Sequence, residues 1–388
     1  MNNGLTIDRR PDDAPGPRPA TRPGPRSDSR SAPRPPGDLG LALRSAVAVQ
    51  GVRVAAPVQR RSGAGPSDDG HVVVEGRGLA LPIVPTSRYS VDAGRLLFDG
   101  ADLGVEATPV RRPRFYDLST ADGVPYSQLA RLHSADVLAT TVLQTCVRYR
   151  EPDRCRFCAI EESLRAGATT RLKTPAQLAE VASAAVRLDG VRQMVMTTGS
   201  TAAADRGAAL LAECVRAVVA AVPQLPVQVQ CEPPADLSVL ADLRAAGAST
   251  IGMHVESLDP QVRRRWTPGK ATVPLEHYER AWAEAVRVFG WNRVSTYLLL
   301  GLGEDPDELV EGARRLIAQG VYPFVVPFRP LAGTLAERDG ARAPSPDLVA
   351  DVTARVAAAL TAAGMRGADQ GAGCAACGAC SALPQAGG

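Results

Sequence analysis

Six apolar runs separated by helix-patterned segments occupy the middle of this chain. VLATTVLQT, VRQMVMTTG, VQVQCE, STIGMHVE, RVSTYLLLG and VYPFVVPF follow one another between residues 137 and 328. Runs of this length and composition read as strands buried on both faces, the condition of a parallel sheet. Between them, TPAQLAEVASAAVRL begins with Thr174 as N-cap and Pro175 at the first helical position, a strong start signal. AALLAECVRAVVAAV, DLSVLADLRAAG, PLEHYERAWAEAVRVFG and DPDELVEGARRLIAQG are the later helical stretches, several closing at glycine. This alternation predicts a parallel α/β architecture, either a six-unit barrel or an open doubly wound sheet. In both, catalytic groups belong at the carboxyl ends of the strands.

The flanks differ in character. Residues 1–37 are rich in proline, glycine, arginine and serine, and are expected to be a disordered, basic, solvated tail. Residues 38–135 combine a helical stretch (DLGLALRSAVAVQ) with short β-type runs (GVRVAAPV, HVVVEG, LALPIVP, GRLLFDG) around a glycine-rich break, RRSGAGPSDDG. They read as a small α+β accessory region. Residues 136–345 hold the repeats, and residues 346–388 a helix and a cysteine-rich tail.

A net charge of +3 gives no argument for nucleic acid, and no run approaches the roughly 18–20 apolar residues of a membrane span. The N-terminus lacks the apolar segment of a secretory signal, so a cytoplasmic location is expected. The eight cysteines then face reducing conditions, where metal or redox chemistry is the better expectation than disulfides.

Three cysteines fall in LQTCVRYREPDRCRFCAIEESL. Cys146 directly follows a strand-like run, and Cys155 and Cys158 precede a helical stretch. Three thiolates on one loop can hold three irons of a cubane and leave the fourth without a protein ligand. A structural zinc site wants four ligands, and this segment offers three cysteines and no histidine.

The segment resembles the cluster loop of radical S-adenosylmethionine (SAM) enzymes, Cys-x3-Cys-x-aromatic-Cys, with Phe157 at the aromatic position. It departs in its first spacing, with eight residues between Cys146 and Cys155, an extension whose closure entropy grows only slowly with length. The resemblance implies a 4Fe–4S cluster that binds SAM and cleaves it to a 5′-deoxyadenosyl radical, on a partial (β/α)6 TIM-type barrel. It extends over roughly residues 138–335. Thr197-Thr198-Gly199-Ser200-Thr201 corresponds weakly to the turn that holds the methionine end of SAM, or is simply an N-cap turn. GMHVESLDPQVRRRWTPGK is similar to lipoyl and biotin synthase relatives, which implies that Glu256 and one of Arg263, Arg264 and Arg265 contact SAM. LLLGLGEDPDEL resembles the lipoyl synthase turn against which adenine packs, at Gly301 and Gly303, with Glu304 and Asp305 opening the next helix. Glu232, ending the third run, is a second acid at the same rim. His254 reads more readily as a core histidine than as a ligand, and Arg329 as a substrate contact or a surface ion pair. Overall the chain also resembles radical SAM proteins of actinobacterial nitrilase-associated gene clusters.

A second set, Cys374, Cys377 and Cys380, is spaced like the first three ligands of a ferredoxin cluster. An auxiliary 4Fe–4S cluster is expected, its fourth ligand coming from Cys214, Cys231, another side chain or substrate. A zinc clip or a pliable tail of free thiols are the alternatives. The expected activity is therefore hydrogen abstraction from a small organic substrate in a biosynthetic pathway, served by a reductant such as ferredoxin or flavodoxin. A non-enzymatic iron–sulfur electron carrier and a zinc-stabilised α/β protein are the competing classes.

Overall fold

The computed structural model describes residues 1, 40–54, 71–74 and 77–383. The proline- and arginine-rich segment expected to be disordered and the RRSGAGPSDDG break lie outside the described residues.

Helix α1 (Leu41–Gln50) leads to strands β1 (Arg53–Val54), β2 (His71–Val74), β3 (Arg77–Ala80), β4 (Tyr89–Asp92), β5 (Arg95–Phe98) and β6 (Ala101–Pro109). These form one sheet in the order β1-β4-β5-β6-β2-β3, antiparallel apart from the β1–β4 pair. Val47, Val72, Leu79, Val91, Leu96 and Val105 make its own apolar core.

The second sheet contains β7 (Arg131–His133), β8 (Val137–Thr141), β9 (Gln193–Thr197), β10 (Val227–Gln230), β11 (Thr250–Gly252), β12 (Val294–Leu300) and β13 (Val321–Pro327). β8 to β13 are parallel, each beside its sequence neighbour, and β7 adds an antiparallel edge. A doubly wound sheet needs a point where strand order reverses. This sheet runs β13-β12-β11-β10-β9-β8-β7 without one. Right-handed crossovers in a single direction put the connecting helices on one face, and the sheet curls into a half-barrel. Those helices are α2 (Pro175–Asp189), α3 (Ala208–Ala221), α4 (Val239–Ala245), α5 (Pro260–Trp266), α6 (Leu275–Phe289) and α7 (Pro306–Ala318), followed by α8 (Pro346–Ala362).

Local chemistry sets the helix starts. Thr174 accepts from Gln177 N at 3.2 Å while Gln177 Oε1 accepts from Thr174 N at 3.0 Å, a reciprocal cap worth about 1 kcal/mol. Asp259 and Asp305 cap α5 and α7, each ahead of a proline at the first helical position. Leu178, Val181, Leu211, Val215, Trp282 and Val310 then bury against the strands, each contributing about 1.5–3 kcal/mol by leaving water.

The inner face of the sheet is unusually polar. Gln193, Gln228, Gln230, Thr250 and Ser295 are all buried there, and buried amides need partners. The segment after α8 supplies them. Gly373 N donates to Gln193 Oε1 at 2.7 Å, Cys374 N to Gln228 Oε1 at 3.2 Å, and Thr250 Oγ1 to Ala372 O at 3.0 Å. Ala80 N of β3 reaches Ala379 O at 2.9 Å. The tail is thus built into the sheet, rather than pliable as its glycine content suggests. Among the described residues, no helix is long and apolar enough to cross a membrane.

Candidate active site

Cys146 leaves the carboxyl end of β8 through a short backbone ladder. Val142 N bonds Thr197 O, Gln144 N bonds Arg171 O, and Val147 N bonds Ser200 O. Gly199 lies so close to this loop that a Cβ there would sit 2.0 Å from Thr145 O. The glycine of the Thr198-Gly199-Ser200 turn is therefore demanded by the chain that carries Cys146.

The long Cys146–Cys155 spacing is held by arginines within it. Arg148 pairs with Glu232 through two hydrogen bonds, Nε–Oε2 3.1 Å and Nη2–Oε1 2.8 Å, and also donates to Gly269 O. Arg154 donates from Nη2 to Tyr149 OH, Cys158 O and Gly333 O at 2.7–3.0 Å, and stacks over the Tyr149 ring. Arg156 pairs with Asp339. Phe157 packs against the main core.

The loop carries the three thiols within electrostatic range of one another, and Cys155 feels the charges of Lys270, Cys158, Glu256 and Cys146. Burial drives the Cys155 thiol well up from its ordinary range, and the neighbouring thiols and Glu256 add to this against the opposing Lys270. Burial also pushes Cys158 up to about 11. Such thiols hold their protons at neutral pH unless a cation displaces them, and soft metal ions do so. Among the described residues, no three His, Cys, Asp or Glu side chains converge on a single ion. Thiolates of a cubane each take a different iron and stand farther apart. The donor set fits a cluster with three protein ligands.

Glu256 follows β11 with φ +68°, a left-handed backbone rarely adopted outside glycine. Its carbonyl and amide pair with Leu299 and Tyr297, and Oε1 accepts from Lys270 Nζ at 2.7 Å. Lys270 also donates to His254 O at 2.9 Å. Burial opposes its charge, but Glu256, Tyr278 and Cys155 outweigh that and raise its pKa. A cavity of about 220 Å³ opens between Glu256, Ser257, Leu298 and Glu304.

Residues 150–316 match the Radical SAM superfamily. This segment is a radical SAM domain. Cys155 and Cys158 fall inside the match, and Cys146 just before it. The chain is 31% identical over 172 residues to lipoyl synthase of Thermus thermophilus, covering 43% of this chain and 50% of that protein. It is 32% identical over 103 residues to bacteriochlorophyllide c C-7(1)-hydroxylase of Chlorobaculum limnaeum, covering 26% and 25%. The chain thus spans half or less of these curated relatives. A crystal structure of HydG, a maturase of the FeFe-hydrogenase, aligns with TM-score 0.44 and 15% identity over 58% of this chain and 49% of that one.

The other expected residues are distributed unevenly. Glu232 is buried, with both carboxylate oxygens already accepting from Arg148. Arg264 and Arg265 are exposed on the outer side of α5, while Arg263 turns inward to Lys270 O and Val273 O. Glu304 curls back onto the amides of Gly301 and Leu302 at 2.6 and 2.8 Å, and burial raises its pKa against those bonds. Gly303 is exposed, with φ +105° and open space where a Cβ would stand. Arg329 donates to Ala48 O of α1 at 2.9 Å, tying that helix to β13. His254 stacks on Tyr297 with centroids 4.0 Å apart, and burial, aided by Lys270, lowers its pKa to about 3.

Lys270 and Arg148 are the site cations that the sequence reading missed. A usable signal existed for the first: Val262 and Trp266 define the buried face of α5, which turns Arg264 and Arg265 outward and leaves the next cation, Lys270, to face Glu256. Arg148 carried no comparable signal, since Glu232 lies on a distant strand.

Proposed function

We propose that this chain is a radical SAM enzyme that reductively cleaves S-adenosylmethionine at a 4Fe–4S cluster ligated by Cys146, Cys155 and Cys158, then abstracts hydrogen from a small organic substrate. The observation that carries this reading is the group of three thiols on one braced loop at the carboxyl rim of the sheet, beside Glu256 and Lys270. When bound, the cluster supplies the electron that splits the sulfonium C–S bond.

The remaining roles belong to the protein. Lys270 offsets the negative charge gathered by three thiolates. Glu256, fixed by Lys270 and by its backbone partners, offers a carboxylate to the ribose or amino group of SAM. Gly303 leaves room for adenine to lie against bare backbone. The Ser200 turn, packed on the Cys146 loop, faces the methionine end. The curled sheet, read as a partial (β/α)6 barrel, shields the reacting atoms from water and fixes the target C–H. Residues 38–135 form its accessory region. The tail of residues 346–388 carries an auxiliary 4Fe–4S cluster on Cys374, Cys377 and Cys380. A ferredoxin or flavodoxin in a reducing cytoplasm supplies the electrons.

Anaerobic reconstitution followed by dithionite and SAM tests the reading. Wild type is expected to hold about eight irons per chain and to release 5′-deoxyadenosine; Cys374→Ala should fall to about four irons, one cubane per cysteine set. Cys155→Ala should form no 5′-deoxyadenosine. Undiminished formation by Cys155→Ala overturns the proposal.

A further inference from the structure

We infer that His133 is the fourth protein ligand of the second cluster, completing a Cys3His set with Cys374, Cys377 and Cys380 on the inner face of the sheet. The inference rests on the auxiliary-cluster reading given above and assigns the ligand which that reading leaves open.

Topology places the histidine. His133 ends β7 and pairs with Val137, the first residue of β8, whereas Cys146 follows the far end of β8. The histidine therefore stands at the amino-terminal end of β8, while Cys374 is met on the inner face of the sheet by Gln230, the last residue of β10, and by Tyr297 of β12. The four steps of β8 from Val137 to Thr141 already span about 13 Å at strand rise. His133 Nε2 is 3.5 Å from Cys380 Sγ and its ring is also in hydrogen-bonding reach of Cys377, so the imidazole lies among the thiols; as ligands on different irons they would stand farther apart with a cluster bound. Cys374 has Cys377, Cys380 and His133 as its neighbours. The other two cysteines lie elsewhere: Cys214 is buried in α3, and Cys231 sits beside Glu232 and Asp205 past the carboxyl end of β10.

The surroundings of Cys374 match a metal-bound thiolate. Tyr297 OH donates to Cys374 Sγ at 2.7 Å and Gln230 Nε2 donates to it at 3.2 Å. Two donors aimed at one buried sulfur favour an anionic acceptor, and hydrogen bonds to cluster sulfur are one of the levers on cluster potential. The cradle is also built closely. A Cβ on Gly373 would lie 2.1 Å from the Gln228 amide, so the turn into Cys374 admits no other residue without displacement. The ferredoxin-like spacing of the three thiolates suits an iron–sulfur cluster, and histidine replaces cysteine on iron in Rieske centres. With four protein ligands the resting cluster has no open iron to chelate a substrate.

The test uses the full chain bearing Cys146→Ala, Cys155→Ala and Cys158→Ala, so that only the second cluster is present. The protein is labelled with 15N-histidine, reconstituted anaerobically, reduced without SAM, and examined by pulsed EPR. About four irons and a strong 15N hyperfine coupling are expected. The coupling should vanish when His133→Cys is added, with iron retained and the reduction potential lowered. Four irons with no histidine coupling refute His133 as ligand and leave the auxiliary cluster standing. No iron, or bound zinc in its place, overturns the auxiliary cluster and this inference with it. The same label and His133→Cys comparison in the two-cluster protein keeps the test decisive if the triple variant does not fold.

Discussion

Arg148 grips Glu232 with two hydrogen bonds across 84 residues of sequence, and the Glu232 side chain is only 1% exposed. Because Arg148 is itself nearly buried and lies two residues after Cys146, this pair ties the cluster loop to the end of β10. Removing one partner strands a buried charge, at a cost of about 3–5 kcal/mol. Glu232→Gln should therefore lower the urea midpoint and the iron content together. Arg148→Met/Glu232→Leu, which removes both charges, should lose less stability than the sum of the single changes. Additive losses would show that the pair does not couple.

The approach of Gly199 to Thr145 gives a second expectation. Gly199 is not in the left-handed region, so its only demand is space: a methyl group would lie 2.0 Å from Thr145 O and 3.1 Å from Leu143 O. Both oxygens belong to backbone that cannot swing aside alone. Gly199→Ala should cost about 1–3 kcal/mol as overpacking and displace Cys146, so iron binding falls even where the fold survives. Gly303→Ala has open space and meets only the strain of its φ, so it should retain iron. Thermal melts and iron assays of the two variants separate these effects, and equal iron loss in both would count against the contact.

The parallel strands and their helices were legible because each is a local pattern: an apolar run, a cap, a closing glycine. VYPFVVPF announces β13, and Thr174-Pro175 announces α2. The sheet before β7 was less so, since the short β4 and the half-exposed β6 carry no continuous apolar run. At the proposed site, the spacing of Cys146, Cys155 and Cys158 is the sequence signal on which the reading rests. Arg154 gives no such signal, because its contacts at Cys158 and Gly333 come from tertiary folding. The contact of His133 with Cys380 was hidden for the same reason: a single histidine on a three-residue edge strand has no motif, and the tail meets it only on folding back.

Lys173 makes the stability of the cluster loop depend on pH. It is 1% exposed, its ammonium faces Gln144 Oε1, Thr169 Oγ1 and Thr170 O, and burial lowers its pKa from 10.5 to about 7. Between those two values the unfolded chain binds more protons than the folded one. Stability therefore rises with pH through that window, and the full penalty is present below about 7. Lys173→Met should flatten this component. Unfolding free energies of both proteins measured from pH 7 to pH 10 give the comparison; identical slopes would exclude the lysine as their source.

Glu256 combines a strained backbone with a paired carboxylate, and the two demands can be separated by substitution. Glu256→Gln keeps the shape and can still accept from Lys270 through its amide oxygen. It should fold, and bind iron at Cys146, Cys155 and Cys158, as wild type does. It gives up the charge-assisted hydrogen bonds assigned to SAM, each worth about 1.5–3 kcal/mol, so SAM affinity should drop by roughly ten- to a hundredfold. Glu256→Val instead places a branched side chain at φ +68°, adding strain of about 1–3 kcal/mol and leaving Lys270 without its carboxylate, held by His254 O alone. It should be destabilised before any question of cofactor arises. Equilibrium dialysis with SAM and denaturant titration read the two effects independently. If Glu256→Gln binds SAM as tightly as wild type, the carboxylate serves only Lys270, and the positive φ reflects packing at the end of β11 rather than cofactor recognition.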